Sequence, residues 1–195
     1  MRIIAGEFRG RTLLPPPSQA TRPVTDRVKQ SVFDILTPLI PDATVYDCFA
    51  GTGSMGLECL SRGASRVTFF EADRGAAERL RRNIQTLKVD DRSTVITSDL
   101  FRWFADRKSH GRASLVFLDP PYRFLREKPD ALRSLAADLT ARHLTHGVTV
   151  IFRHDTADAL DLPPLVRSDV REYGSMKIEF LGVATPAAAP QIPGP

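Results

Sequence analysis

The chain has 195 residues, 42% of them hydrophobic and 26% charged, with a formal net charge of +4. That is enough chain for one domain with a full core, and no apolar run nears the roughly 20 residues of a membrane helix or the shorter stretch of a signal peptide, so a cytoplasmic protein is expected. Cys48 and Cys59, the only cysteines, make no zinc set or disulfide framework, and the four histidines keep no metal-ligand spacing, so no metal is expected.

The charge is uneven. Residues 1–30 carry six bases (Arg2, Arg9, Arg11, Arg22, Arg27 and Lys29) against Glu7 and Asp26, and the remainder balances at 21 of each sign. A basic extension beside a neutral body fits a domain that grips nucleic acid, although a solvated tail has the same composition. Taken in order, Ile3-Ile4 and Thr12–Leu14 read as short strands around Gly6 and Gly10, and Pro15-Pro16-Pro17 ends them. Thr25 or Asp26 can cap a helix whose apolar residues are Val28, Val32, Phe33, Ile35 and Leu36. Strands are expected at Val45–Ala50, Arg66–Phe70, Ser93–Thr97, Leu115–Leu118 and Val148–Phe152. Helices are expected near Met55–Ser61, Ala76–Leu87, Leu100–Ala105 and Ala131–Arg142. This alternation predicts a doubly wound, mostly parallel α/β sheet. Leu165–Tyr173 and Lys177–Val183, joined by Gly174-Ser175, read as an antiparallel hairpin that brings the sheet to seven strands. The expected divisions are a basic β extension at 1–24, the α/β domain at 25–183 and a disordered Pro/Ala-rich tail at 184–195.

Asp47-Cys48-Phe49-Ala50-Gly51-Thr52-Gly53-Ser54-Met55-Gly56 joins the first strand to a helix. Gly51, Gly53 and Gly56 spell G-x-G-x-x-G, and Glu71 follows at the end of the second strand, where an acid can accept from ribose hydroxyls. The pattern fits an adenosine cofactor, either a dinucleotide or S-adenosylmethionine. Asp47 favours the second: a carboxylate repels a pyrophosphate and attracts an ammonium or sulfonium. Asp47 could instead cap a local turn. Asp99 could accept from an adenine amine, cap the next helix, or do both.

DCFAGTGSMGLE, FFEAD, SD and DPPY, in this order, resemble the motifs of class I S-adenosylmethionine-dependent methyltransferases, whose sheet is Rossmann-like. MRIIAGEFRGRTL, RPVTDRVKQSVFDIL and EYGSMKIEF narrow the resemblance to the bacterial RsmD-type family, which methylates the exocyclic N(2) amine of one guanine in 16S ribosomal RNA. It runs from Met1 to about Val183. The resemblance implies that Asp47, Phe49 and the Gly51–Gly53 loop hold the methionine end of the cofactor. Glu71 would hold the ribose, Ala72 would lie against the adenine, and Asp99 with Leu100 would hold the adenine edge. Asp119, Pro120, Pro121 and Tyr122 would hold the target base. The family commonly has threonine where this chain has Val24.

The chemistry of Asp119-Pro120-Pro121-Tyr122 supports that expectation. An exocyclic amine is a poor nucleophile because its lone pair is delocalised into the ring. Asp119 can accept one of its N–H bonds and the Pro120 carbonyl the other. The prolines stiffen the turn, and Tyr122 offers a stacking face to a flipped base. A carboxylate, at an ordinary pKa of about 3.9, is too weak to deprotonate a neutral aryl amine, so Asp119 is read as an aligner first. Arg123 and Arg126 either contact phosphate or belong to a solvated loop. Arg2, Arg9, Arg11, Arg22, Arg27 and Lys29 are expected to grip RNA. The partner is 16S rRNA in the small subunit or its assembly intermediate, and the enzyme is expected to be a monomer. The rivals are a DNA adenine or protein amino-methyltransferase, an NAD-dependent oxidoreductase, and an RNA-binding module without activity.

Overall fold

The computed structural model describes residues 1–16, 24–106 and 111–183. Pro17, Arg22 and the tail at 184–195 lie outside the described residues. The chain opens with α1 (Asp26–Leu36), β1 (Thr44–Cys48), α2 (Ser54–Ser61), β2 (Arg66–Phe70), α3 (Arg74–Leu87) and β3 (Ser93–Ile96). It continues through α4 (Leu100–Ala105), β4 (Ala113–Leu118), α5 (Phe124–Glu127), α6 (Pro129–Arg142), β5 (Leu144–Asp155), β6 (Leu165–Tyr173) and β7 (Met176–Val183). The seven strands form one sheet in the order β3-β2-β1-β4-β5-β7-β6. The first five are parallel, and β7 runs antiparallel to both β5 and β6.

Local chemistry places the helices. The Thr25 hydroxyl accepts from the Val28 amide at 3.4 Å, and Val32, Phe33 and Leu36 bury one stripe of α1. The Asp73 carboxylate accepts from the Ala76 amide at 2.7 Å at the start of α3. Both caps satisfy amides that have no partner within their helix. Alternation along the strands divides the core into two layers. Val45, Leu115, Phe117, Ile151 and Ile178 pack with α1, α2 and α3. Tyr46, Cys48, Val116, Leu118, Val150 and Phe152 pack with α4 and α6.

Several boundaries differ from the sequence reading. The N-terminal strands are a single antiparallel bridge, Arg2 with Thr12. Its neighbours Ile3 and Leu13 are buried in the α1 layer, so this segment is packed down by apolar contacts. β5 begins four residues early, because Leu144 pairs with Ala113 before a bulge restores the register at Leu115 and Thr149. The residues after Tyr122 form α5 rather than an open loop: Phe124 N donates to Pro121 O at 2.7 Å and Glu127 N to Arg123 O at 2.8 Å.

The grouping of Lys29 with the RNA-gripping bases is wrong. It is 1% exposed, and its ammonium lies 2.9 Å from Glu58 Oε2. Glu58, fully buried on α2, also accepts from Ile4 N at 2.8 Å, Ala5 N at 3.0 Å and Arg62 Nε at 2.8 Å. Burial pushes the Lys29 pKa down, and the charge and hydrogen bond of Glu58 oppose that. The position sits on the buried face of α1, one residue after the half-buried Val28 and one turn before Phe33. A lysine there is retained because a carboxylate meets it.

Gly56 marks the closest approach of helix to sheet. A Cβ built on it would lie 2.4 Å from Phe69 Cε1 and 2.8 Å from Val67 Cγ1. Gly56→Ala is therefore expected to cost about 1–3 kcal/mol through overpacking, read as a lower urea midpoint with an unchanged denaturant slope.

Candidate active site

The chain runs outward from β1 through β2 to β3 and then returns to place β4 on the other side of β1. That reversal opens a crevice at the carboxyl ends of β1 and β4. Asp47 is the penultimate residue of β1, Glu71 follows β2, Asp99 follows β3, and Asp119 follows β4. The sheet thus brings the predicted acids to one edge.

The glycine loop is held by its acids. Gly51 N donates to Glu71 Oε2 at 2.7 Å, while Glu71 Oε1 accepts from Asp73 N at 2.7 Å. Gly53 N donates to Ala50 O at 2.8 Å. Gly51 has φ +57, and a Cβ there would meet no atom within 4 Å, so the space beside it is open. Asp47 is 2% exposed and accepts from Gly56 N at 2.9 Å, inside the first turn of α2. Burial pushes its pKa up to about 8; the Gly56 bond opposes the shift, and the charges of Asp119 and Glu71 add to it. Among the described contacts, then, Asp47 is a buried acid that sets the loop. Asn83 braces the same loop, donating to Thr52 O at 3.0 Å and accepting from Leu14 N at 2.8 Å.

The Asp47 shift has a testable sign. An unfolded aspartate ionises near pH 3.9, so between about 4 and 8 the folded chain holds the extra proton and stability falls as pH rises. Asp47→Asn keeps an acceptor oxygen without the titration. Wild type is expected to lose more urea stability than Asp47→Asn between pH 5 and 8, with the difference flattening above 8. Parallel pH profiles for the two would remove the assignment.

The residues expected around an adenine are largely engaged with the protein itself. Asp99 Oδ1 accepts from Arg102 N at 3.1 Å and caps α4, so its capping role is realised. Leu100 is buried and Ala72 is exposed at the rim. Phe49, with φ +62, packs edge-on against Phe101 at 5.9 Å and Phe124 at 6.1 Å between ring centroids. The sequence reading passed over Phe101 and Phe124. The signal was there: one directly follows Asp99-Leu100 and the other lies two residues after Tyr122.

At β4, Asp119 N extends the ladder to Cys48 O at 3.4 Å. Pro120 is buried, while Pro121 and Tyr122 are half-buried. The Asp119 carboxylate meets a residue that the sequence reading missed. Arg153 Nε donates to Oδ1 at 2.6 Å and Nη2 to Oδ2 at 2.5 Å. The guanidinium carbon is 5.9 Å from the centroid of the Tyr122 ring. Burial alone would lower the Arg153 pKa; the charge and hydrogen bonds of Asp119 outweigh it and the net shift is upward. Val24, Val32, Met55, Phe117, Ile151 and Ile178 line the cleft around this pair.

The basic residues divide. Arg9, Arg11 and Arg27 are exposed, and Arg2 is exposed but paired with Asp26 at 2.7 Å. Arg126 is paired with Asp158 at 2.6 Å, and Arg123 lies 3.6 Å from Glu127.

A glycine loop after β1, an acid after β2 and Asp-Pro-Pro-Tyr after β4, on a sheet with an antiparallel β7, define a Rossmann-like methyltransferase fold. Residues 1–182 match the family model described as "Conserved hypothetical protein 95". The chain belongs to that family, the RsmD-type family its motifs resemble. It is 43% identical over 123 residues to the ribosomal RNA small subunit methyltransferase D of Escherichia coli; the alignment spans 63% of this chain and 61% of that relative. A solved putative methyltransferase of Escherichia coli superposes with TM-score 0.81 at 31% identity, covering 94% of this chain and 97% of that one. A putative methylase of Haemophilus influenzae gives 0.74 at 31% identity, covering 94% and 98%. No helix among the described residues is long and apolar enough to cross a membrane.

Proposed function

We propose that the chain transfers a methyl group from S-adenosylmethionine to the exocyclic N(2) amine of a guanine in small-subunit ribosomal RNA. The observation that carries this reading is the placement of Asp119. A braced carboxylate and a rigid proline turn follow the carboxyl end of β4, the strand paired with the β1 that leads into the glycine loop.

The residues fit the cofactor. The open space beside Gly51 leaves room for a ligand against the loop backbone. Glu71 can accept from ribose hydroxyls, Asp99 with Leu100 and Ala72 can frame the adenine, and Asp47 and Phe49 set the shape of the loop. When bound, S-adenosylmethionine supplies an electrophilic methyl group on a sulfonium.

The protein's part is alignment. Asp119 accepts one N–H of the guanine amine, the Pro120 carbonyl accepts the other, and Tyr122 covers the base. Held this way, the nitrogen presents its lone pair along the attack line, where orientation is worth several kcal/mol. The sulfonium would supply the methyl carbon to that lone pair, with the C–S bonding pair staying on sulfur. The nitrogen is then cationic, and Asp119 takes its proton and passes it to water. Arg9, Arg11 and Arg27 are exposed for phosphates. Replacing Arg9 and Arg11 with Ala is expected to weaken RNA binding and to flatten its log–log salt dependence by about 1–2.

The deciding experiment offers labelled S-adenosylmethionine, with the full chain, to small subunits, naked rRNA and DNA from a strain lacking the enzyme. The modified base is then mapped. Label on a guanine amine of small-subunit RNA supports the reading. Label on DNA adenine alone, or binding of NAD without S-adenosylmethionine, overturns it.

A further inference from the structure

Arg153 enters the site from a strand that carries none of the sequence motifs. In the parallel register of β4 and β5, Leu118 lies opposite Phe152. The next residue of each strand is therefore brought to its neighbour at the carboxyl edge: Asp119 beside Arg153. Alternation puts both on the α1 side of the sheet, where Phe117 and Ile151 precede them by two residues. The Arg153 side chain is 13% exposed, and apolar Val24, Met55 and Ile151 stand around it.

We propose that Arg153 is the positioning residue of the methyl-acceptor site. Its planar fork holds both oxygens of Asp119 at 2.6 and 2.5 Å, a two-point grip that a lysine cannot reproduce. An ionised carboxylate has about four lone-pair sites. The fork takes one on each oxygen and fixes the plane of the group, which sets the direction of the outer pair that accepts the substrate N–H. A carboxylate on two rotatable bonds would otherwise swing, and a displacement of about 1 Å costs on the order of 10²-fold in rate. The inference rests on the methyl-transfer reading above and assigns a further residue to it.

The test is a double-mutant cycle on the full chain: wild type, Arg153→Met, Asp119→Asn and the double variant, with Arg153→Lys alongside. Each is assayed with labelled S-adenosylmethionine and unmethylated small subunits, and cofactor binding is measured by calorimetry. Arg153→Met is expected to lower kcat about 10- to 100-fold while KM for both substrates stays within about threefold, since the loss is one of orientation. Arg153→Lys should recover part of the rate, having the charge without the fork. In the Asp119→Asn background, Arg153→Met should not lower the rate further, because no carboxylate is left to position and the amide oxygen that the guanidinium held is freed toward the substrate. Multiplying effects in the double variant overturn the proposal, as does a raised KM for the subunits at unchanged kcat, which would make Arg153 an RNA grip. If Arg153→Met fails to fold, Arg153→Lys at full wild-type rate overturns it alone. A wild type that labels no nucleic acid sinks the functional reading and this inference together; an active wild type with an indifferent Arg153→Met sinks only the inference.

Discussion

Asp119→Asn is expected to lower methyl transfer on the order of 10³-fold while S-adenosylmethionine binds within about threefold of wild type. The reason lies in the donors that face the side chain. Arg153 presents two N–H groups to it, and the substrate amine would present another. An asparagine has one acceptor oxygen, which the guanidinium takes, leaving its NH₂ aimed at the substrate N–H. Two donors then face each other where an acceptor is required. Asp119→Ala should be as inactive for a different reason, removing the acceptor and leaving the Arg153 charge without its carboxylate. Cofactor affinity should hold in both, because the residues assigned to the cofactor lie after β1, β2 and β3. Rapid-quench transfer with labelled cofactor measures the first quantity and calorimetry the second. A rate within tenfold of wild type in both variants would show that alignment by this carboxylate is not the source of catalysis.

Glu58→Ala carries the largest expected effect on stability, about 3–5 kcal/mol. Glu58 is fully buried and accepts from four donors: Lys29, Arg62 and the amides of Ile4 and Ala5. Removing it leaves an ammonium that is 1% exposed without its countercharge, with the Arg2 carbonyl at 3.2 Å still accepting from it, and strands two backbone amides. Burial alone would raise the pKa of Glu58; Lys29, the Ile4 amide and Arg62 outweigh it and hold the pKa below the usual carboxylate range. Lys29→Met should cost clearly less, since Arg62 and both amides still satisfy the carboxylate. Urea unfolding measures both, and for a chain of this size the Glu58 loss corresponds to a Tm drop of about 10 °C. Equal costs for the two would mean that the Lys29–Glu58 pair carries the whole effect and the amides add nothing.

Much of this was legible in the residues, for physical reasons that also explain the gaps. The parallel sheet announced itself because a strand buried on both faces must be continuously apolar, as in Val45-Tyr46 and Leu115–Leu118. Asp47, Glu71 and Asp119 stood out as candidates because each meets such a run near its carboxyl end, where a doubly wound sheet exposes its crevice; Asp99 stood out by its place after β3. Arg153 breaks the run Val148–Phe152 in the same manner, one residue past the register partner of Leu118. It was missed because register is a relation between distant strands, and no local motif flags it. Lys29 was misassigned because a helical stripe says which positions face inward but not which acid waits there. α5 was missed because four residues are too few to show a period.

The fastening of residues 4–8 has a consequence for recognition. Glu7 N donates to Ser61 O at 2.7 Å, Phe8 N to Ser61 Oγ at 2.9 Å, and Ser61 Oγ to Ala5 O at 2.6 Å. With Glu58 on the same helix, these bonds rivet the turn that carries Arg9 and Arg11 to α2, the helix whose first turn shapes the glycine loop. In the proposed complex those guanidinium groups stand at a set offset from Asp119. The enzyme would then work as a caliper. An RNA whose phosphates fit the gauge when its guanine reaches Asp119 is accepted without reordering the protein, and one of another shape meets jaws that do not flex.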